Sequence, residues 1–492
     1  MNKRALTLLL IAALAATASC GGAAAGSDTT AASADTTTAA PAETIVNLDN
    51  SDLLRKDFGG REFLIFARKP TNFTDAWHLL DVESITGETL NDAIFNRNKK
   101  VEDVYNVDIA MEYVADGDFK STAMSHINAG DSEYAAIFGR LDHLYPMAQE
   151  GYFMNWHTLP YTDTSAEWWD QAAVRDLTYK NRLYALTGDI STSANSRVYS
   201  LVFNKDLCRD LNLDLPYQTV LDGKWTVDVF NKYITNVNQD VNGDAQMDYE
   251  DRWGYFSQNG NSYMMYFAGG GRVVQTNAKG ELELVFNDAR NVELATKALE
   301  ISIDESKTLM ANQLVSENGG SWAAASAWFA GGNALMRSSV FEPVPRDYRS
   351  MDTDFGVLPY PKLDENQDKY YTMAEELSIM LTVPVTADAE FSSLILEAMA
   401  IESVNTVSPA FYDVCLNGKI VRDEESKEML DILFENKVFD IGLVTGIGSF
   451  KSTMTSMEAA DDTGVASKYA SLLSSAEEQL KNITEKFEAL DE

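Results

Sequence analysis

Cysteine is scarce in this chain: three residues in 492, Cys20, Cys208 and Cys415. There is no CxxC and no His/Cys cluster, which excludes a structural zinc site of the usual spacing. Histidine is as sparse. His78, His126, His143 and His157 stand apart, and no HExxH occurs. No GxSxG elbow or Walker loop is present, and Gly269-Gly270-Gly271 is not followed by the GK[ST] of a phosphate loop. Positive charge is in deficit, with 39 Lys and Arg against 75 Asp and Glu, a net charge of −36. Such a surface repels nucleic acid and anionic lipid heads and favours a neutral or cationic ligand. Past the first twenty residues, no apolar run reaches the roughly twenty residues that span a hydrocarbon core.

What is present begins at the N-terminus. Lys3 and Arg4 precede an almost wholly apolar stretch from Leu6 to Ala16, then Thr17-Ala18-Ser19-Cys20. A basic start, a short apolar run and small residues describe a secretory signal peptide, residues 1–19. The segment resembles a bacterial lipoprotein signal, with Thr17 where such signals usually carry Leu. The resemblance implies that Cys20 becomes a lipidated N-terminus; the alternative is an ordinary cleaved signal beside an incidental cysteine. Gly21 to Glu43 is mostly Gly, Ala, Ser and Thr and cannot bury enough surface to fold. Residues 20–50 are therefore expected to be a flexible tether to the extracytoplasmic face of the cell membrane.

The remaining stretch of about 440 residues exceeds one ordinary core, so two lobes are expected. Arg61 to Ala67 reads as a strand, Leu90 to Tyr105 as a helix and Asn106 to Tyr113 as a strand. Phe119 to Ala129 reads as a helix and Tyr134 to Phe138 as a third strand. This alternation describes an open α/β sheet, whose ligands sit beyond the carboxyl ends of its strands. Tyr199 to Asn204, Trp253 to Phe256, Asn333 to Ser338 and Phe355 to Leu358 are further strands. Ser467 to Leu490 is a polar amphipathic helix. Outside the cell Cys208 and Cys415 could pair; both fall in helix-like stretches, where small buried thiols are common, so unpaired thiols are expected.

Four pieces occur in one order. Ala129-Gly130-Asp131 precedes the third strand. Val202 to Leu207 (VFNKDL) is followed by Lys224-Trp225-Thr226. Trp328 to Met336 (WFAGGNALM) reads as helix, turn and strand. Phe355 to Pro361 (FGVLPYP) leads into a polar loop. Together these resemble the extracellular solute-binding proteins of ABC importers, in the group that takes up maltose and other sugars. The resemblance implies an α/β fold of two hinged lobes, the type II periplasmic-binding-protein architecture. Lobe one would be 58–195 plus 355–405 and lobe two 196–354 plus 406–492, with the hinge near Ser196, Phe355 and Asn405. It further implies a non-enzymatic monomer that captures a carbohydrate in the cleft and delivers it to ABC permease subunits. The alternatives are a lipid-anchored glycan-acting enzyme and a receptor for a peptide or other small solute.

Strand ends and the resemblance select the candidate ligand residues. Arg68, Asn72 and Trp77 follow the first strand. Arg140 and Asp142 follow Phe138, where the resemblance puts a ligand-contacting loop. Asp189, Asn195 and Arg197 flank the first crossing. Gln258, Asn259 and Tyr263 lie in a segment that matches a cleft lining. Arg337, Ser339 and Glu375 complete the polar set, and Trp168 and Trp169 are candidates to cover the apolar face of a sugar. A separate acidic loop places Asp240, Asn242, Asp244, Gln246, Asp248 and Asp251 at positions 1, 3, 5, 7, 9 and 12. The spacing resembles the calcium loops of EF-hands and dockerins. Ala245 stands where Gly is usual and Asp251 where Glu is. The function needs no cofactor; Ca²⁺ in this loop is a structural expectation only.

Overall fold

The computed structural model describes residues 46–70, 79–348, 351–416 and 424–490. The signal peptide, Cys20, most of the expected tether, Asn72 and Trp77 lie outside the described residues. The strands are β1 (Arg61–Arg68), β2 (Val107–Val114), β3 (Tyr134–Arg140), β4 (Tyr199–Asn204), β5 (Trp253–Ser257), β6 (Val274–Thr276) and β7 (Leu282–Leu284). They continue with β8 (Thr308–Met310), β9 (Ala334–Val340), β10 (Phe355–Leu358), β11 (Thr372–Met373), β12 (Ile379–Thr382) and β13 (Lys437–Val438).

Two sheets organise the molecule. The first has the order β12-β3-β1-β2. β1 runs parallel to β2 and β3, and β12 closes the edge antiparallel to β3. Phe63 to Ala67 are all buried, the continuous apolar run expected of a strand covered on both faces. Helix Thr89–Tyr105 buries Leu90, Ile94, Val101 and Tyr105 at helical intervals and stops at Asn106, whose φ of 50° ends the winding. The second sheet has the order β10-β4-β9-β5-β8. Its β4 is antiparallel to both neighbours, whereas β5 is parallel to β9 and β8.

One boundary differs from expectation. Phe355–Leu358 was expected to open the return to lobe one, yet β10 pairs with β4, Phe355 opposite Asn204 and Leu358 opposite Leu201. FGVL is apolar throughout and could edge either sheet; nothing in its composition names the partner. The return comes later, where β11 pairs with β13 and Ala374 bridges to Val198. The chain therefore crosses between sheets near residues 189–198, 371–378 and 403–407. Buried Arg97 ties the first and third crossings, donating to the Ile190 carbonyl at 2.9 Å and the Ser403 hydroxyl at 3.2 Å.

The ordered body also begins before residue 50. Leu48 is fully buried, its amide donates to Glu402, and Asn405 donates to the Val46 carbonyl. At the other end, helix Val465–Ala489 joins two distant parts of the chain through its aromatic rings. Tyr469 packs on Phe286 and Phe450, and Phe487 packs on Tyr145, Tyr179 and Tyr184.

Candidate ligand-binding seam

The carboxyl ends of β1, β2 and β3 gather a charged cluster. Arg140 donates to Asp142 through Nε at 3.0 Å and Nη2 at 2.6 Å, and to Asp116 through Nη1 at 3.0 Å. Arg68 pairs with the same Asp116 at 3.2 Å. His143 stacks on Phe119 with ring centroids 5.9 Å apart, and burial pushes its imidazole pKa down. Arg68, Tyr113, Phe138 and Ile379 help enclose a hollow of 20 Å³ here, room for about one water.

The segment Glu375–Ile379 carries this cluster across to the second sheet. The Glu376 carbonyl accepts from the Asp142 amide at 3.1 Å, and the Ser378 carbonyl from the Leu141 amide at 3.0 Å. Glu375 accepts from Arg197 at 3.0 Å and from the Tyr199 hydroxyl at 3.1 Å. Arg197 also lies 3.5 Å from Glu342. Glu376 pairs with Lys451, whose ammonium sits 5.3 Å over the Tyr263 ring. Asp142, Glu376, Lys451 and Tyr263 thus form a continuous path between the two sheets. Tyr263 begins beyond the carboxyl end of β5, the position at which ligands meet parallel strands. Every cation along the path, Arg68, Arg140, Arg197 and Lys451, has a carboxylate partner.

Of the candidates chosen from sequence, Arg68, Arg140, Asp142, Arg197, Tyr263 and Glu375 come together on this seam. Gln258 and Asn259 sit beside Tyr263, with the Asn259 amide donating to Asn312 at 2.7 Å. Asp189 and Asn195 lie at the first crossing but are engaged elsewhere. Asp189 accepts from Ser408 at 2.6 Å, and burial raises its pKa to about 6. Asn195 accepts from Lys437 at 2.6 Å.

Others are placed away from the seam. Trp168 and Trp169 direct both indole N–H groups onto Glu397 of helix Ala389–Ser403, each at 2.9 Å, and Trp169 is buried against Trp156. Arg337 is buried in the second core cluster, bonded to the Tyr348 hydroxyl and 5.7 Å over the Phe256 ring. Ser339, also buried, donates to the Val340 carbonyl. Glu397 lies 229 and 228 residues from the two indoles and left no local signal, whereas Arg337 and Ser339 lie inside β9 and are buried there. Asp116, missed from sequence, follows β2 and was reachable by the same strand-end rule. Glu376 adjoins the candidate Glu375, but Lys451 was not reachable, because helix Phe450–Ala459 gives no sign of which sheet it meets.

The acidic loop also differs from expectation. Among the described residues, no three His, Cys, Asp or Glu side chains are grouped to hold a metal ion. The loop oxygens serve its own backbone instead. Asp240 accepts from the Gly243 and Ala245 amides, Asn242 from Asp244 and Asp244 from Gln246. Asp248 accepts from the Glu250 amide, and Asp251 from the Val241 and Asp248 amides. Gln246 at position 7 is exposed. The residues therefore do not fit the calcium site that their spacing suggested.

A larger open groove of 630 Å³ lies between β7 and the C-terminal helix, lined by Leu282, Leu284, Leu473 and Leu480. None of its lining residues belongs to the charged path.

Two sheets, three crossings between them and a polar seam are an arrangement that this chain shares with solved substrate-binding proteins of ABC transporters. Solved structures bear this out at the level of fold. A cyclo/maltodextrin-binding protein complexed with maltotetraose matches with a TM-score of 0.55 at 14% identity, over 86% of this chain and 97% of that one. The maltose/maltodextrin-binding domain MalE from Bdellovibrio bacteriovorus, bound to maltotriose, matches at 0.53 and 13%, over 85% and 100%. An ABC substrate-binding protein from Listeria monocytogenes in complex with cycloalternan matches at 0.51 and 14%, over 87% and 99%. No family model matches the chain. No curated protein matches it by sequence.

Proposed function

We propose that this protein is the solute receptor of an ABC importer, capturing a carbohydrate between its lobes and passing it unreacted to membrane permease subunits. The observation that carries the reading is the seam itself. Carboxyl ends of strands from both sheets meet across Glu375–Ile379, and every cation named there is already paired with a carboxylate. A ligand therefore meets many hydrogen-bonding groups and no unbalanced cation, which suits a neutral polyhydroxyl better than an anion. The solved structures of similar fold that hold maltotriose, maltotetraose or cycloalternan support the same class.

A hollow of 20 Å³ is far below the several hundred Å³ that a sugar occupies. Ligand enters when the lobes part about the three crossings, and the seam re-forms around it. Capture and release need no covalent step, so this reading assigns no catalytic residue. The signal peptide and Cys20 support a lipid anchor at the extracytoplasmic face of the membrane, with residues 21–45 as the leash.

Thermal-shift and calorimetric titration with maltotriose, maltotetraose, short peptides and free amino acids tests this reading. A saccharide raises the melting temperature and is recovered intact, and Arg140→Ala abolishes the shift. Hydrolysis of the saccharide, or stabilisation by peptides alone, overturns it.

A further inference from the structure

Helix Asn261–Ala268 opens the second lobe's side of the seam, and its first turn has no cap of its own. Gly260 stands at the cap position with φ at 91° and offers no side chain. A Cβ there would collide with the Tyr263 ring. The Ser, Thr, Asp and Asn that cap other helices are therefore shut out. The acceptor arrives from far along the chain. Glu458, on helix Phe450–Ala459, takes the Gly260 amide at 2.6 Å and the Ser262 hydroxyl at 3.2 Å, both on Oε2. A carboxylate at a helix N-terminus is favoured by the aligned peptide dipoles.

The same helix carries Lys451 two turns earlier and on the same face, paired with Glu376 and lying over the Tyr263 ring. One helix therefore grips Gly260–Tyr263 at both ends, by carboxylate and by ammonium. The grip is not the cheapest packing available. Glu458 is 4% exposed, and its Oε1 has no hydrogen-bond partner among the described residues. A buried acceptor left unmade costs stability that an apolar side chain of similar size would not.

We propose that Glu458 is a positioning residue for ligand capture, holding Gln258–Tyr263 in the conformation that faces the seam without itself touching the ligand. The proposal rests on the receptor reading above. Its anchoring role has a readout that needs no ligand.

The experiment compares the full chain as wild type, Glu458→Ala and Glu458→Gln. Deuterium uptake of the peptide covering residues 257–266 is followed by mass spectrometry without ligand, and maltotriose and maltotetraose are titrated by calorimetry. Glu458→Ala speeds exchange in that peptide about tenfold and leaves β1–β3 unchanged, because the cap is lost locally. It weakens binding of whichever saccharide the wild type takes by about tenfold, while Glu458→Gln, which keeps an acceptor, stays within about threefold on both measures. Unchanged exchange in Glu458→Ala overturns the proposal, as does unchanged affinity despite faster exchange. If Glu458→Ala unfolds globally, Glu458→Gln decides: it must bind as wild type does, and its failure also overturns the proposal. A wild type that binds neither saccharide removes support from the receptor reading, while the exchange comparison still decides whether Glu458 anchors the segment.

Discussion

The indole nitrogen of Trp169 lies 2.9 Å from Oε2 of Glu397, 228 residues further along the chain. The other carboxylate oxygen takes the Trp168 indole at 2.9 Å and the Asp163 amide at 3.3 Å. One side chain thus satisfies three donors beneath helix Ala389–Ser403. Glu397→Ala strands two indoles at once and costs about 3 kcal/mol, measured by urea unfolding. A loss too small to resolve would mean that the indoles find other acceptors.

Glu397 also sets a pH dependence. Burial raises its pKa from 4.5 to about 7, against which the indole hydrogen bonds act in the opposite direction. The folded protein therefore holds the proton more tightly than the unfolded chain. The contribution to stability is fully present below about pH 4.5 and is lost as pH rises to about 7, on the order of 3 kcal/mol in all. Urea unfolding at pH 5 and at pH 8 checks this. Glu397→Gln, which cannot ionise, loses less stability over that interval than the wild type; parallel losses would remove the assignment.

Asp170 and Lys437 form a buried pair at 3.0 Å, their side chains 9% and 6% exposed. Asp170 also caps helix Gln171–Leu177 through the Ala172 and Ala173 amides. Asp170→Asn keeps the cap and removes the charge, so it isolates the ion pair. It destabilises by about 3 kcal/mol, and adding Lys437→Met recovers much of that, because the cost is an unpaired buried ammonium. Denaturant unfolding of the single and double variants decides. A double variant no better than the single would mean that the cost does not come from an unpaired ammonium.

Cys208 and Cys415 are both free and fully buried, in separate core clusters. Burial pushes the Cys208 thiol up to about 12 and the Cys415 thiol well above its ordinary value. Both stay unreactive toward a thiol reagent in native buffer and react once guanidinium unfolds the chain. A mass difference of two protons between reduced and unreduced protein would contradict this.

Much of the fold was written in local pattern. REFLIFA became β1 almost residue for residue, and the helical spacing of Leu90, Ile94, Val101 and Tyr105 marked the helix that follows. FNKDL spans the end of β4 and a helix whose cap is Asn204, accepting from the Leu207 amide. The seam was half legible. Arg68, Arg140 and Asp142 follow strand ends, a rule that needs only the order of elements. Glu397, Lys451 and Glu458 were illegible, because each acts on a segment roughly two hundred residues away or on a sheet that their own helix does not name. Arg337 misled for a related reason: β9 was recognised, but not that its Arg337 side chain buries itself between aromatic rings. The acidic loop showed metal-like spacing whose oxygens are spent on its own amides.

The helix Val465–Ala489 bears on how such a molecule can move. It is a stiff rod of about 37 Å. Three rings clamp Phe487 at one end, and Phe286 and Phe450 hold Tyr469 near the other. Any swing that lengthens the distance between those clamps must first prise Phe487 out of its aromatic socket. Under the receptor reading, an opening that spares that socket pivots about the rod, with the final helix as its axle.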